Sequence, residues 1–178
     1  MYIRNFKYSD EERVIGLGKR IFREADEIPL LQKALSLCVP ELSFVAVEDK
    51  TIIGFALVCA KVTNVYCSFL TKIPNCYELA FLGISPLCQG RGLGSRLLKE
   101  TLLAIFQRST RFACWLLVDT DNYGAIKLYE RIGFRRWAPA SPDIASAPGY
   151  IMGLSYRRYL KNWPANQDAK PPLSCRQM

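Results

Sequence analysis

The sequence predicts a single α/β domain in which helices flank a mixed β-sheet. Its 178 residues are enough for one sizeable core and few for two. Residues 78–119 predict a β-α-β unit, because an apolar strand, a glycine turn, a leucine-rich helix and a second apolar strand follow one another there. Two strand-like segments within 43–60, joined by the turn pair Asp49-Lys50, predict an antiparallel hairpin ahead of that unit.

The amino-terminal part of the chain is predicted to run from a strand to two helices. YIRNF (2–6) alternates polar and apolar residues as a half-buried strand does. Ser9 and Glu12 have the spacing of a capping box, and apolar residues follow them at helical intervals, which predicts a helix. IPLLQKALSLC (28–38), with Pro29 in its first turn, predicts a second and shorter helix.

The rest of the chain continues to alternate between strands and helices. Residues 61–77 predict an extended strand end followed by a loop. The later elements are a strand at 76–85, a turn, a helix at 93–108, a strand at 112–119, a helix at 122–134, a strand at 135–138, a loop, and a final strand at 150–156. Residues 1–160 are therefore predicted to form the domain, and residues 161–178 a mobile tail.

Composition argues against several kinds of protein chemistry. The absence of histidine removes the commonest metal ligand and the histidine-dependent nucleophile pairs. The cysteines form no CxxC pair, so we expect reduced thiols and no metal site. Without a membrane-spanning apolar run or a secretion signal, a cytoplasmic protein is expected. The net charge of +8 indicates an anionic partner, and the lack of a compact Lys/Arg run argues against nucleic acid and a membrane surface.

QGRGLGSRLL (89–98) concentrates glycine at the start of a predicted helix. Its glycines are Gly90, Gly92 and Gly94, and Arg91 and Arg96 lie among them. Glycines tolerate positive φ and expose their N–H groups, so with the helix dipole they suit an anion such as a pyrophosphate. A dinucleotide fold would require glycine where Ser95 stands, and a nucleoside triphosphatase loop would require Gly-Lys-Ser/Thr, so neither fits well. A tight turn without a ligand is the alternative.

Two segments, in this order, resemble the GCN5-related N-acetyltransferase (GNAT) superfamily. QGRGLGS resembles its Q/R-x-x-G-x-G/A signature, with Gln89 first and Gly92 and Gly94 as the signature glycines. NYGAIKLYERIGF (122–134) resembles its second segment, N-x-x-A-x-x-x-Y-x-x-x-G-F. The resemblance implies a GNAT-like fold, with a central, mostly antiparallel sheet, a splayed pair of parallel strands and flanking helices.

The resemblance also implies that acetyl-CoA is the cosubstrate. It would lie between the strands at 78–84 and 112–119, with its pyrophosphate on the glycine turn and its pantetheine arm paired to backbone groups like another strand. The implied cofactor-binding residues are Leu82, Gly83, Ile84, Gln89, Gly90, Arg91, Gly92, Leu93, Gly94, Ser95, Asn122 and Tyr129. For Asn122, capping its helix without touching the cofactor is the alternative.

Acetyl transfer from a thioester to an amine requires a base for the amine and a proton for the leaving thiolate. Glu78 matches the strand glutamate that is the base in the lysine-acetyltransferase branch, and an apolar strand would raise its pKa. An idle carboxylate at an exposed strand end is the alternative. Tyr129 matches the tyrosine that faces the thioester sulfur and would protonate the thiolate, and a core aromatic is the alternative. Cys88 has no base beside it, which favours direct transfer in a ternary complex.

The acceptor is the part that the sequence determines least. GYIMGLSY, near the carboxyl end, resembles the final strand of protein N-terminal acetyltransferases, and Tyr66, Tyr77 and Tyr150 would line a peptide slot. We therefore predict a protein or peptide amine, either an α-amine or a lysine. A small amine such as a polyamine is one alternative, which the positive net charge disfavours. A non-catalytic acyl-CoA-binding module is the other, and a monomer and a homodimer are both compatible with the sequence.

Overall fold

Seven strands of the described residues form one mixed sheet with helices on both faces. The computed structural model describes residues 1–22, 26–60, 76–108, 113–140 and 148–162. The strands are β1 (Tyr2–Asn5), β2 (Phe44–Glu48), β3 (Thr51–Cys59), β4 (Cys76–Ile84), β5 (Ala113–Asp119), β6 (Arg135–Ala140) and β7 (Gly149–Ser155). The α-helices are α1 (Glu11–Ile21), α2 (Glu27–Leu37), α3 (Leu93–Arg108), α4 (Tyr123–Ile132) and α5 (Tyr156–Asn162).

The sheet has the strand order β1-β2-β3-β4-β5-β7-β6, and the pairing of β4 with β5 is its one parallel pairing within the described residues. The predicted mixed sheet, mostly antiparallel with one parallel pair, is confirmed. That pair is short, because only Cys76, Tyr77 and Glu78 face partners on β5. Past Glu78, β4 continues beside β3 while β5 continues beside β7, so the two strands separate.

A β-bulge in β4 changes which side chains share a face of the sheet. Glu78 pairs with Cys59 and Leu79 with Val58, but the next pair joins Phe81 to Leu57, so Ala80 is the extra residue. Cys59 and Leu57 belong to the cluster under α1 and α2. Because paired residues share a face, Glu78 and Phe81 both lie on the α1/α2 face.

Two hydrophobic clusters cover the two faces of the sheet. On one face, α1 and α2 pack Leu17 and Leu31 against Phe55 of β3. On the other face, α3, α4 and α5 pack against alternate residues of β3, β4, β5 and β7, with Leu102 and Met152 fully buried. The leucines of α3, which the sequence predicts as a leucine-rich helix, therefore lie at the centre of the larger cluster.

The start of α1 differs from the prediction. The predicted capping box of Ser9 and Glu12 is wrong: α1 begins at Glu11, and the carboxylate of Asp10 organises the turn before it. That carboxylate is fully buried and accepts hydrogen bonds from Arg4 at 2.6 and 2.9 Å, from the Lys7 N–H at 3.0 Å, and from Arg13. These cations and donors hold the pKa of Asp10 below its ordinary value, with the Arg4 hydrogen bond as the main cause.

Most predicted elements lie where the sequence placed them. Asp49 and Lys50, with φ of 48° and 63°, turn the predicted hairpin. β6 runs further than predicted and includes Pro139, which an edge strand tolerates because its N–H is not needed. Helix α5 was not predicted. It runs to Asn162 and so crosses the predicted domain end at residue 160. The predictions for 61–75 and for the tail from 163 onward fall outside the described residues.

Candidate active site

The point where β4 and β5 separate forms a fork in the sheet. Glu78 and Trp115 are the last residues to pair across it. Beyond them, the edge of β4 from Leu79 to Ile84 has no strand beside it on the β5 side within the described chain. The fork therefore exposes unpaired backbone groups of β4, as an edge strand does, inside an otherwise continuous sheet.

Glu78 lies buried at the base of the fork, with only 4% of its surface exposed. It sits between Cys59 of β3 and Trp115 of β5 in one row across the sheet. Burial raises the pKa of the thiols of Cys59 and Cys114, and the negative charge of Glu78 adds to both increases. The alternative of an exposed carboxylate at a strand end does not describe this residue.

The glycine turn lies at the open end of β4, directly before α3. Gly90 and Gly92 both have φ of 75°, and no described atom lies within 4 Å of a Cβ built at either position. Glycine is needed there for its backbone conformation and not for packing. The first intrahelical bond joins the Arg96 N–H to the Gly92 carbonyl, so the preceding N–H groups of α3 have no helical partner.

Backbone and side-chain bonds connect the glycine turn to β4. The Ser85 N–H donates to the Ile53 carbonyl at 2.9 Å, and the Gln89 side chain donates to the Ile84 carbonyl at 3.3 Å. A carbonyl that we predicted to face the cofactor is thus occupied by Gln89. Gly83 has a packing role as well, because a Cβ there would lie 2.6 Å from the Phe55 ring.

Helix α4 supplies the second predicted segment. The Asn122 side chain accepts a hydrogen bond from the Ala125 N–H at 3.1 Å and caps the helix, and Gly133 ends it with φ of 114°. Tyr129 is 7% exposed and packs on Phe134 with ring centroids 5.7 Å apart. Burial raises the pKa of its phenol, and the nearby Cys114 adds to the increase.

One contact between α3 and α4 was not predicted. Arg131 of α4 donates a hydrogen bond to the hydroxyl of Ser95, in the first turn of α3, at 2.9 Å. The two residues are far apart in the chain, and no sequence pattern relates them. The structure thereby joins both predicted motif segments at the glycine turn.

The remaining predicted candidates are dispersed. Cys88 is buried beneath the turn, and Tyr150 carries the Arg136 guanidinium 4.2 Å from its ring centroid. Tyr66 lies outside the described residues. Across the described ranges, no cluster of His, Cys, Asp or Glu is arranged to hold a metal ion. No helix in those ranges has the length and apolarity that crossing a membrane requires.

Comparison with known proteins identifies the family of this chain. The model of the Acetyltransferase (GNAT) family matches residues 12–134, which is more than half of the chain. The chain belongs to the GNAT acetyltransferase family. The predicted family and the predicted class of enzyme, an N-acetyltransferase, are confirmed.

Among curated GNAT relatives, N-alpha-acetyltransferase RimI of Mycobacterium tuberculosis is 32% identical over 130 residues, covering 72% of this chain and 74% of that protein. Mycothiol acetyltransferase of Salinispora arenicola is 38% identical over 65 residues, which are 36% of this chain and 21% of that protein. The chain therefore spans about a fifth of the length of the mycothiol acetyltransferase.

The fold agrees with a solved GNAT structure. Naa50 of Arabidopsis thaliana, in complex with the bisubstrate analogue CoA-Ac-MVNAL, superposes with a TM-score of 0.66 at 19% identity. The superposition covers 86% of this chain and 97% of the Naa50 chain. At this identity the likeness concerns the fold, and the predicted GNAT-like fold is confirmed.

Proposed function

We propose that this GNAT enzyme transfers the acetyl group of acetyl-CoA to a protein or peptide amine by direct transfer in a ternary complex. The observation that carries the proposal is the fork between β4 and β5. It has a buried carboxylate, Glu78, at its base and a left-handed glycine turn at its mouth. A thioester reaching from the turn into the fork would end beside that carboxylate.

The proposed cosubstrate site uses mainly backbone groups. The glycine turn and the first N–H groups of α3 would receive the pyrophosphate at the positive end of the helix dipole. The unpaired edge from Leu82 to Ile84 would bind the amides of the pantetheine arm, once the Gln89 side chain has released the Ile84 carbonyl. The CoA portion of the ligand bound to Naa50, a protein of the same fold, supports this proposal.

Glu78 and Tyr129 are the proposed catalytic residues. Glu78 takes a proton from the acceptor ammonium, directly or through water, and the neutral nitrogen then attacks the thioester carbonyl. A C–N bond forms, the C–S bond breaks, and Tyr129 donates a proton to the departing sulfur. The nitrogen loses its second proton as the amide forms, and that proton returns through water to the Tyr129 phenolate, while Glu78 releases its proton to solvent. Burial raises the pKa of the phenol. It would also raise the pKa of a thiol released in the same surroundings, as it does for Cys114, so the pKa values of donor and acceptor shift in the same direction.

A protein or peptide amine, and first of all an α-amine, is the proposed acceptor. RimI matches this chain over most of its length, and the ligand of Naa50 includes an acetylated peptide. A small amine is the second candidate, because mycothiol acetyltransferase is 38% identical to this chain over 65 residues. We propose a cytoplasmic enzyme that is a monomer or homodimer, with no nucleic acid or membrane partner.

Product identification tests the proposal. The protein is incubated with isotope-labelled acetyl-CoA and a pool of peptides with free α-amines, peptides with blocked α-amines and free lysines, and polyamines. Mass spectrometry then locates the label. Label on peptide α-amines is expected, and a matched incubation with Glu78→Gln should give little. Labelled polyamines with unlabelled peptides would replace the peptide proposal by the small-amine one.

A further inference from the structure

The last turns of α4 pack against the first turn of α3. Arg131 donates to the Ser95 hydroxyl at 2.9 Å, and Leu128 lies 3.4 Å from a Cβ built at Gly94. Gly94 and Ser95 lie in the first turn of α3, just after Gly90 and Gly92 of the glycine turn. A guanidinium group therefore stands beside the N–H groups that α3 leaves without helical partners.

Positive charge is concentrated at the start of α3. The amino terminus of a helix has positive potential, and Arg91 and Arg96 add exposed positive charge to the same segment. Within the described residues Arg131 makes no ion pair, whereas Arg136, close to it in the sequence, pairs with Glu130 at 3.2 Å. Among the described residues, Arg131 adds to this positive charge and no carboxylate forms an ion pair with it.

We propose that Arg131 binds a phosphate group of the cofactor, an inference that rests on the proposed acetyl-CoA site. The guanidinium has several N–H donors in a planar fork, so one bond to Ser95 leaves others for phosphate oxygens. Ser95 fixes the orientation of the side chain, which reduces the rotamer entropy lost on binding. A phosphate would bring negative charge to this positive segment.

The proposal links cofactor binding to the catalytic helix. Arg131 and Tyr129 lie in the same short helix, α4. A phosphate held jointly by the α3 amino terminus and Arg131 would bridge the two helices near the glycine turn. The cofactor would then fix the position of the helix that carries the proposed acid.

Titration calorimetry with CoA tests the proposal. Arg131→Gln should weaken CoA binding about 10-fold, because one charge-assisted contact is lost. Arg108→Gln is the matched control: it removes the same charge from the other end of α3, roughly 20 Å away, and should change the affinity less than about twofold. A folded Arg131→Gln variant that binds CoA like the control overturns the proposal.

Two further titrations identify the phosphate and the part played by Ser95. With 3′-dephospho-CoA, an unchanged effect of Arg131→Gln assigns the contact to the pyrophosphate, and a lost effect assigns it to the 3′-phosphate. Combining Ser95→Ala with Arg131→Gln should weaken binding less than the two single effects multiplied, because both act through one guanidinium. Independent effects would contradict the anchoring role of Ser95. Failure of the unaltered protein to bind CoA would instead remove the proposed function itself.

Discussion

At the scale of single residues, Glu78 and Tyr129 illustrate what a sequence motif can and cannot supply. The family resemblance supplied their positions, but burial decides their chemistry. Glu78 lies at the base of the fork and Tyr129 in the cluster under α3 and α4. By its packing, Tyr129 is thus a core aromatic. It is also the proposed acid, so the two interpretations given to this residue are compatible.

Replacing Glu78 by Gln should lower turnover by a factor on the order of 100 to 10,000 and leave CoA affinity nearly unchanged. The loss should shrink as pH rises, because an acceptor amine with a pKa of roughly 8 to 10 then deprotonates unaided. Rates measured from about pH 6 to about pH 10 with one identified acceptor check this expectation. A deficit that stays constant with pH would argue that Glu78 orients the amine and does not accept its proton.

Replacing Tyr129 by Phe should give a different profile. Because burial raises the pKa of the phenol, Tyr129 stays protonated throughout the neutral and mildly alkaline range. The loss of turnover, on the order of 100-fold, should therefore be the same across that range. Thermal unfolding, with a small shift relative to the unaltered protein, serves as the control for folding. A deficit confined to low pH would contradict the role as proton donor.

At the scale of elements, the glycine turn allows a matched comparison between glycines. Gly92 has φ of 75° in open space, and Gly16 of α1 is equally uncrowded without a positive φ. Gly92→Ala should cost roughly 1 kcal/mol through backbone strain and weaken CoA binding about 10-fold. Gly16→Ala should stabilise the protein by up to about 1 kcal/mol and leave CoA binding unchanged. Equal effects on CoA would mean that the turn does not hold the pyrophosphate.

The start of α1 should depend on pH through Asp10. The pKa of Asp10 is lowered in the folded protein, so its contribution to stability is present above the unfolded value of about 3.9 and is lost as pH falls through the lower folded value. Asp10→Asn should cost about 2 kcal/mol near neutral pH, a modest figure because Arg4 and Arg13 are partly exposed. The deficit should narrow in acid.

Urea unfolding at several pH values measures this deficit. Glu12→Gln, an exposed carboxylate of the same helix, is the control and should cost no more than about 0.5 kcal/mol. A deficit for Asp10→Asn that is independent of pH would show that the hydrogen-bond geometry, and not the charge, is what Asp10 contributes.

At the scale of the whole molecule, the sequence could predict what depends on local pattern. The hairpin turn at Asp49-Lys50, the β-α-β unit and the Asn122 cap of α4 all follow from neighbouring residues. The bulge at Ala80 and the contact of Arg131 with Ser95 depend on how distant segments are aligned, and no local pattern encodes that alignment. Helix α5 is short and carries its apolar contacts on Tyr156 and Tyr159, too few residues for a periodic signal.

CoA binding should protect the fork as well as raise the stability of the whole domain. A ligand that binds only the folded state stabilises it by about 2.7 kcal/mol at a concentration 100-fold above Kd. Hydrogen exchange with and without CoA should show added protection of the backbone amides of Leu82 and Ile84, which face the fork, and of those in the first turn of α3. The protection of backbone amides in β2, on the far side of β3, should increase only as much as the global stability does. Protection spread evenly over the sheet would place the ligand elsewhere.

The bulge at Ala80 affects the order in which substrates can bind and products can leave. Glu78 belongs to the α1/α2 face of the sheet, whereas Tyr129 lies on the opposite face, and the fork is the opening between them. If these residues act as proposed, donor and acceptor reach the reaction from opposite sides and neither blocks the other's entrance. Initial-rate plots should then intersect, as for a sequential mechanism with random binding, and the acetylated product should be able to leave while CoA is still bound.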